Sequence, residues 1–357
     1  MAEAAAIAPP EMYQPRAWPA KNEQTLAYIP QLDGVRAFAV TFVILAHWFA
    51  PFPSMGYIPY GEFGVIIFFV LSGFLITTIL LSYKSEIDQG NGPTGFYLRK
   101  FFTRRVLRIF PIYYLTIALV LIFKPAIFEG NVWWHCAYLS NFFFVLVKHG
   151  WQQPVSQWWS LSVEEQFYLI WPFLIFFINR KYLTYCIVAV IITGPLFRYF
   201  SANHLYMFLT PACFDALGCG ALLALQYKQF EKLLTPKIVM IAFALLIAAI
   251  LFFTRYKLSI YDVTVRIYLS LFSFFLIFQA SKGFKGVLGA ILSNPVVIYI
   301  GKISYGLYIY HLLILEFDLR IESTILLQLT RIAILLTITS ASYYFIEKPI
   351  LRLKKYA

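Results

Sequence analysis

Apolar residues fill long runs of this 357-residue chain, and polar residues collect in the short stretches between them. A run of about 20 apolar residues is long enough to cross the hydrocarbon core of a bilayer as a helix. A helix satisfies its backbone hydrogen bonds internally, so the pattern predicts an all-α polytopic membrane protein. About ten runs qualify, and they cover residues 34–51, 64–83, 106–123, 159–178, 182–199, 209–227, 238–254, 263–280, 296–316 and 324–346.

One further apolar stretch, residues 132–147, is shorter, and its length alone allows it to span, re-enter or lie at the interface. Basic residues in the loops decide between these topologies, because Lys and Arg accumulate on the cytoplasmic side. We expect ten spans, both termini inside, and 132–147 re-entrant or interfacial. The outer segments then hold few basic residues, namely Lys124, Lys148, Arg255, Lys257 and Arg320.

The ends of the chain are more polar than its body. Residues 1–27 contain acids and prolines but no basic stretch ahead of an apolar one, so we expect a disordered cytosolic tail rather than a signal peptide. Residues 28–350 form the predicted integral-membrane domain, and residues 351–357 form a basic cytosolic tail.

The composition excludes several classes of protein. With 61% hydrophobic and 13% charged residues, the chain is not a soluble domain. The net charge of +12 is explained by basic inner loops, and no soluble basic domain exists to bind nucleic acid. The four cysteines include no CxxC pair, so we expect neither a metal site nor a disulfide framework.

The first apolar run contains two ionisable residues, Arg36 and His47. Ionisable side chains are costly inside a bilayer and therefore mark candidate functional sites. Three helical turns take almost eleven residues, so the two share a face roughly 16 Å apart along the axis, and Asp33 joins that face. This face suits a long ligand whose charged end binds Arg36 and whose other end exchanges a proton with the imidazole of His47. An arginine that reaches the headgroups and an interfacial histidine explain the pair about equally well.

A basic segment, FYLRKFFTRRVLRIFPIYYL, precedes and enters the third run. Arg104, Arg105 and Arg108 are three or four residues apart, so they cluster on one side of a helix. By itself such a cluster is explained by the positive-inside rule and by binding of anionic lipid. Its density also suits a phosphate-rich ligand that enters from the cytosol.

Two more pairs of residues are candidates. Ser72 and Gly73 lie in the middle of the second run, where small residues let helices approach closely or let a slender ligand lie against the helix. Glu164 and Glu165 follow serines at the start of a run, which favours helix capping for one of them and a role in orienting a histidine for the other.

Near the C terminus, Tyr305 and His311 are secondary candidates. A hydrogen-bonding role in the interior of the bundle is the simpler interpretation of His311.

Six segments follow one another between residues 30 and 350: LDGVRAFAVTFVILAHWF, GVIIFFVLSGFLI, FTRRVLRIFPIYYL, WWSLSVEEQFYLIWP, ISYGLYIYHLLI and IEKP. In this order they resemble acyltransferase family 3, the membrane O-acetylases of O-antigen, exopolysaccharide and related acceptors. The resemblance implies transfer of an acyl group, usually acetyl, from cytosolic acyl-CoA to a hydroxyl of a carbohydrate or other envelope acceptor. It also implies no permanently bound cofactor and a place in the bacterial cytoplasmic (inner) membrane.

The resemblance implies roles for particular residues. The family's Arg-x10-His signature matches Arg36 and His47, and its Arg-x-x-Arg pattern, associated with acyl-CoA, matches Arg105 and Arg108. We expect His47 to act as a general base or to carry the acyl group covalently. The expected catalytic residues are His47, Glu164 and Glu165. The expected acyl-CoA contacts are Asp33, Arg36, Ser72, Gly73, Arg104, Arg105 and Arg108.

The sequence departs from the family pattern at two places. Ile66 and Ile67 stand where an acid often precedes the paired phenylalanines, and Cys213 stands where an arginine is expected, two residues before Asp215. Some members carry an extracytoplasmic hydrolase-like domain, and because this sequence ends at Ala357 we expect it to lack one.

Two other classes of function fit the same charges. A transporter or flippase of an anionic or glycosylated lipid would move its substrate without consuming CoA. A non-catalytic membrane partner in polysaccharide assembly would keep its function in His47→Ala. The agreement of the six motifs favours the enzyme.

Overall fold

The computed structural model describes residues 28–49, 59–201, 203–256 and 261–356, and these residues form helices and connecting turns without a strand. The tail predicted at residues 1–27 lies outside the described residues. The α-helices are α1 (Pro30–Trp48), α2 (Tyr60–Asp88), α3 (Thr94–Phe123), α4 (Val132–Cys136), α5 (Ser140–Phe142), α6 (Trp158–Phe177), α7 (Arg180–Phe200), α8 (Phe214–Leu225), α9 (Tyr227–Leu233), α10 (Pro236–Tyr256), α11 (Tyr261–Lys282), α12 (Gly286–Leu292), α13 (Pro295–Lys302), α14 (Ser304–Ile314), α15 (Thr324–Ser342) and α16 (Lys348–Arg352).

Within the described residues, the helices that can cross a membrane are fewer than the ten expected. Two bent pairs, α9 with α10 (94°) and α13 with α14 (70°), bring the total from five to seven if each pair counts as one span. The helices α1 and α6 are not counted, because their ionisable and polar residues lower their mean hydropathy. The five segments that qualify singly are Tyr60–Asp88, Thr94–Phe123, Arg180–Phe200, Val263–Lys282 and Thr324–Arg352.

The ambiguous stretch at residues 132–147 does not form one helix. It contains α4, α5 and a π-helical turn at Phe143–Val147, and none of these pieces is long enough to cross a bilayer. His135 of this stretch is fully buried, and its Nδ1 lies 2.9 Å from the hydroxyl oxygen of Ser140. Burial lowers the pKa of His135 to about 4. The stretch is therefore a packed structural element with a neutral histidine inside it.

Close helix contacts surround α2. A Cβ built on Gly73 would lie 1.9 Å from the carbonyl oxygen of Leu217, and one built on Gly220 would lie 1.9 Å from that of Val70. Two backbones can approach this closely only where neither helix carries a side chain at the crossing. The α2–α8 contact therefore holds α2 in a fixed rotation, which decides which of its residues face α1 and α6.

Candidate active site

A cavity of about 300 Å³ lies between α1, α2, α3, α6 and α14. One part of its wall carries ionisable side chains, and another part is aromatic. The ionisable residues are Asp33, Arg36, Arg105, Arg108, Glu164 and Glu165. The aromatic residues of the lining include Phe68, Phe69, Tyr305 and Tyr308.

Arg36 is held at the cavity wall by an acid one turn earlier on α1. Its Nη1 donates to Oδ1 of Asp33 over 2.6 Å, and the hydroxyl of Tyr28 donates to Oδ2 over 2.8 Å. The carboxylate of Asp33 is thus engaged at both oxygens, and its side chain is 7% exposed. Asp33 therefore positions Arg36 and offers little to a ligand directly.

Two further guanidinium groups reach the cavity from α3. Arg105 lies over the rings of Phe101 and Tyr168, with its central carbon 5.7 Å from each centroid. Among the described residues, neither Arg105 nor Arg108 has a carboxylate within ion-pair distance, whereas Arg36 does. Three guanidinium groups beside one cavity, two of them without a close ion pair, favour an anionic ligand such as a phosphate.

Glu164 belongs to a hydroxyl network beside Arg105, which lies over the ring of Tyr168. Ser72 donates to its Oε1 over 2.9 Å, and the phenol of Tyr168 lies 2.9 Å from both Oε2 and the hydroxyl oxygen of Ser72. The buried Oε1 of Glu165 has no hydrogen-bond partner among the described residues. Glu164 is thus bound to Ser72 and Tyr168, and the prediction that one of these two acids orients His47 remains a prediction for Glu165.

His47 instead meets a histidine from the C-terminal part of the chain. Its ring centroid lies 4.9 Å from that of His311, and the Nε2 of His311 lies 3.3 Å from the Nδ1 of His47. Each Nδ1 also approaches a backbone carbonyl: that of Val43 at 2.8 Å from His47, and that of Tyr308 at 2.7 Å from His311. The secondary candidate His311 is therefore in direct contact with the proposed catalytic histidine.

These contacts assign the ring protons. A carbonyl oxygen only accepts, so the Nδ1 atom of each histidine must carry the hydrogen that it donates. In the neutral rings the Nε2 of His311 then has a lone pair and accepts from the Nδ1 of His47. The Nε2 of His47 is left unprotonated, and the side chain is exposed. This atom has the lone pair that a general base requires.

The order of residues along α1 and α2 shows where His47 lies relative to the cavity. A Cβ on Gly64 would lie 2.4 Å from the carbonyl oxygen of Ala39, and one on Gly61 would lie 2.5 Å from the Cβ of Ala46. The two helices therefore run antiparallel, and His47 lies beside the first turn of α2.

The cavity stops short of the histidine pair. On α2 its wall runs from Val65 to Ile79, which begins more than one turn beyond the level of His47. On α14 its last residue is Tyr308, one turn before His311. Tyr308 is shared by the two, since its ring lines the cavity and its carbonyl accepts from His311.

Other predicted contacts are placed outside the cavity. Gly73 packs against α8 and is not among the residues that line the cavity, so the structure gives it a role in helix packing. Arg104 also does not line the cavity, and its Nη1 donates to the phenol of Tyr83 over 3.3 Å. Tyr305 does line the cavity, and its hydroxyl donates to the carbonyl of Ile109 over 2.7 Å.

The two departures from the family pattern have different structural settings. Ile66 and Ile67 are buried in the core, with 4% and 1% exposure. Beside Cys213, an arginine is supplied by another helix, since the Nη1 of Arg266 lies 3.9 Å from its Sγ. Arg266 is held by an ion pair with Glu62. No local sequence pattern connects positions 213 and 266, so this residue could not be found from the sequence.

The structure thus has a cavity lined by guanidinium groups, and this cavity stops short of a histidine pair. In a comparison with known proteins, the acyltransferase domain family matches residues 29–346, and the chain belongs to this family. The O-acetyltransferase OatA of Staphylococcus aureus is 31% identical over 381 residues, covering 95% of this chain and 58% of OatA. YrhL of Bacillus subtilis, provisionally named a peptidoglycan O-acetyltransferase, is 29% identical and covers 90% of this chain and 55% of YrhL.

The chain thus spans less than two thirds of the length of these relatives. No solved structure matches it significantly.

Proposed function

We propose that this protein transfers an acyl group, most simply acetyl, from acyl-CoA to a hydroxyl of a cell-envelope glycan. The observation that carries the proposal is the cavity itself: within the described part of the chain, no carboxylate lies within ion-pair distance of its Arg105 or Arg108, and one end of the cavity approaches His47. Family membership supports acyl transfer, the names of both relatives support a hydroxyl as acceptor, and the name of YrhL supports a glycan.

The donor lies along α1 in this proposal. Its phosphates bind Arg105, Arg108 and Arg36, since guanidinium groups pair well with phosphate oxygens. The pantetheine arm extends past Ser72 toward the aromatic end. Arg36 and His47 are roughly 16 Å apart along the helix axis, which suits an extended arm.

His47 then acts on the acceptor. Its Nε2 takes the proton of the acceptor hydroxyl while the hydroxyl oxygen attacks the thioester carbonyl carbon. The carbon–sulfur bond breaks, and the thiolate leaves with the electron pair and receives the proton from the imidazolium. An ester and free CoA result, and His47 returns to its neutral form. In an alternative mechanism, His47 first takes the acyl group covalently and then passes it to the acceptor, and steady-state kinetics distinguishes this mechanism from direct attack.

The orientation follows from the donor. The end of α1 that carries Arg36 faces the cytosol, both termini are cytosolic, and the end that carries His47 faces the opposite side of the bacterial cytoplasmic membrane. The loops on the Arg36 side carry most of the basic residues, as the positive-inside rule requires.

The test measures CoA release and acetylated product with purified protein in nanodiscs, together with acetyl-CoA binding. We expect His47→Ala to bind acetyl-CoA normally and to lose about 10²–10⁴-fold in turnover. Arg108→Ala should weaken binding by about tenfold or more, because a charged hydrogen-bond donor is lost. Arg99→Ala is the matched control, since Arg99 lies on the same helix, is exposed and does not line the cavity.

Two outcomes would overturn the proposal. One is a wild-type protein that neither binds nor consumes any acyl-CoA. The other is movement of a lipid substrate across the membrane without CoA consumption, which would identify a transporter instead.

A further inference from the structure

Two aromatic rings line the end of the cavity nearest the histidine pair. Phe68 of α2 and Tyr308 of α14 both line the cavity, and their rings meet edge to face with centroids 6.1 Å apart. Beyond Tyr308 stands His311, with ring centroids 5.7 Å apart. A group that extends through the cavity from Arg105 toward His47 therefore lies beside this aromatic pair.

The two rings differ in how firmly they are held. The phenol of Tyr308 lies 2.5 Å from the hydroxyl oxygen of Ser160 and 3.2 Å from the carbonyl of Gln157. Phe68 is half-buried and has no polar atom to tether it. Its neighbour Phe69 is 2% exposed. Phe68 is thus the adjustable side of the pair, and Tyr308 is the fixed side.

We propose that Phe68 and Tyr308 limit the acyl group of the donor to a short chain. This inference rests on the proposed function, which places the thioester at this end of the cavity. In an acetyl group the carbonyl and methyl carbons are adjacent, so both fit beside the pair while the carbonyl stays close to His47. Each added methylene must displace a ring or push the carbonyl back toward Arg105, away from the histidine.

A hydrophobic pocket discriminates between acyl chain lengths through the space that its lining side chains leave free. A single methylene changes relative turnover by about 10-fold to 200-fold in such pockets. Replacing Phe68 with a smaller residue should therefore open space for added methylenes, since Tyr308 stays in place through its hydrogen bonds.

The experiment compares CoA release from acetyl-CoA, butyryl-CoA and hexanoyl-CoA in nanodiscs, with product acylation as a second readout. The variants are Phe68→Leu and Phe68→Ala, so that the milder change remains informative if the larger one unfolds the protein. Phe63→Leu is the matched control: Phe63 lies on the same helix, is also half-buried and stacks on Phe42 outside the cavity.

We expect wild type and Phe63→Leu to prefer acetyl-CoA. Phe68→Leu should raise the butyryl-to-acetyl turnover ratio by about tenfold, and Phe68→Ala should extend activity to hexanoyl-CoA. An unchanged ratio in a folded Phe68 variant, or wild type that uses hexanoyl-CoA as readily as acetyl-CoA, would overturn this inference alone, because acyl-CoA is still consumed. Absence of turnover with every donor would overturn this inference and the proposed function together.

Discussion

At the scale of single residues, the chemistry depends on which nitrogen of His47 is free. Val43 accepts from Nδ1 within the same helix, but a carbonyl four residues earlier is available to a histidine on any helix. His311 adds a second acceptor on the same side and thereby fixes the ring. Its role is to position His47 so that Nε2 points away from both acceptors.

The positioning role of His311 can be tested by removing its acceptor. His311→Ala should lower kcat by about 10²-fold without changing KM for acetyl-CoA, because a misplaced base slows chemistry and leaves donor binding intact. His311→Gln should restore most of the loss, since its Oε1 can accept from the Nδ1 of His47. Steady-state kinetics in nanodiscs would measure both variants. Equal loss in the two variants, or a change confined to KM, would contradict this role.

At the scale of helices, two neighbouring residues of α2 lie on different faces, one at the cavity and the other at the packing interface with α8. Ser72 lines the cavity and donates to Glu164, whereas Gly73 meets the backbone of α8. Successive helical residues differ by about 100° in direction, so a pair of small residues has one member on each face. The sequence showed a pair of small residues and allowed both roles, and the helix contacts assign one role to each.

The packing role of Gly73 predicts a specific loss of stability. Gly73→Ala should destabilise the protein by about 1–3 kcal/mol or more, because its Cβ would meet the carbonyl of Leu217. Gly95→Ala is the control, because nothing lies within 4 Å of a Cβ on Gly95, near the start of α3. That control should be neutral or slightly stabilising, since alanine favours helix. Thermal unfolding in detergent would compare the two, and equal melting temperatures would contradict the assignment.

At the scale of the whole molecule, the two halves of the site lie at different depths. The guanidinium groups and the histidine pair are separated along α1, and the aromatic pair stands between them. In the orientation that we propose, the donor approaches from the cytosol and the acceptor from the opposite side of the membrane.

The orientation predicts opposite accessibility for two exposed positions. Lys148 precedes α6 and Lys228 follows α8, so three successive helices place them at opposite ends of the bundle. In a background without the four native cysteines, Lys148→Cys should react with a membrane-impermeant maleimide in intact cells. Lys228→Cys should react only after the membrane is opened. The reverse pattern would place the Arg36 end outside and contradict cytosolic acyl-CoA as donor.

The local pattern of apolar and charged residues was enough to determine the fold class and the grouping of some charged side chains. Apolar runs predicted an all-helical membrane protein, and helical spacing placed Arg36 and Asp33 together and paired Arg105 with Arg108. The number of spans was not determined in this way. The site residues of α1 and α6 interrupt their apolar runs, and α9–α10 and α13–α14 are bent, so the expected ten spans are not confirmed.

Contacts between distant parts of the chain were decided only by the tertiary structure. His311 lies beside His47, Glu164 binds Ser72 in place of a histidine, and Arg266 stands next to Cys213. Each contact depends on the rotation and depth of two packed helices, which in turn depend on close crossings such as that of α2 with α8. The sequence alone identified the groups with reactive or charged atoms, and helix packing selected which of them meet.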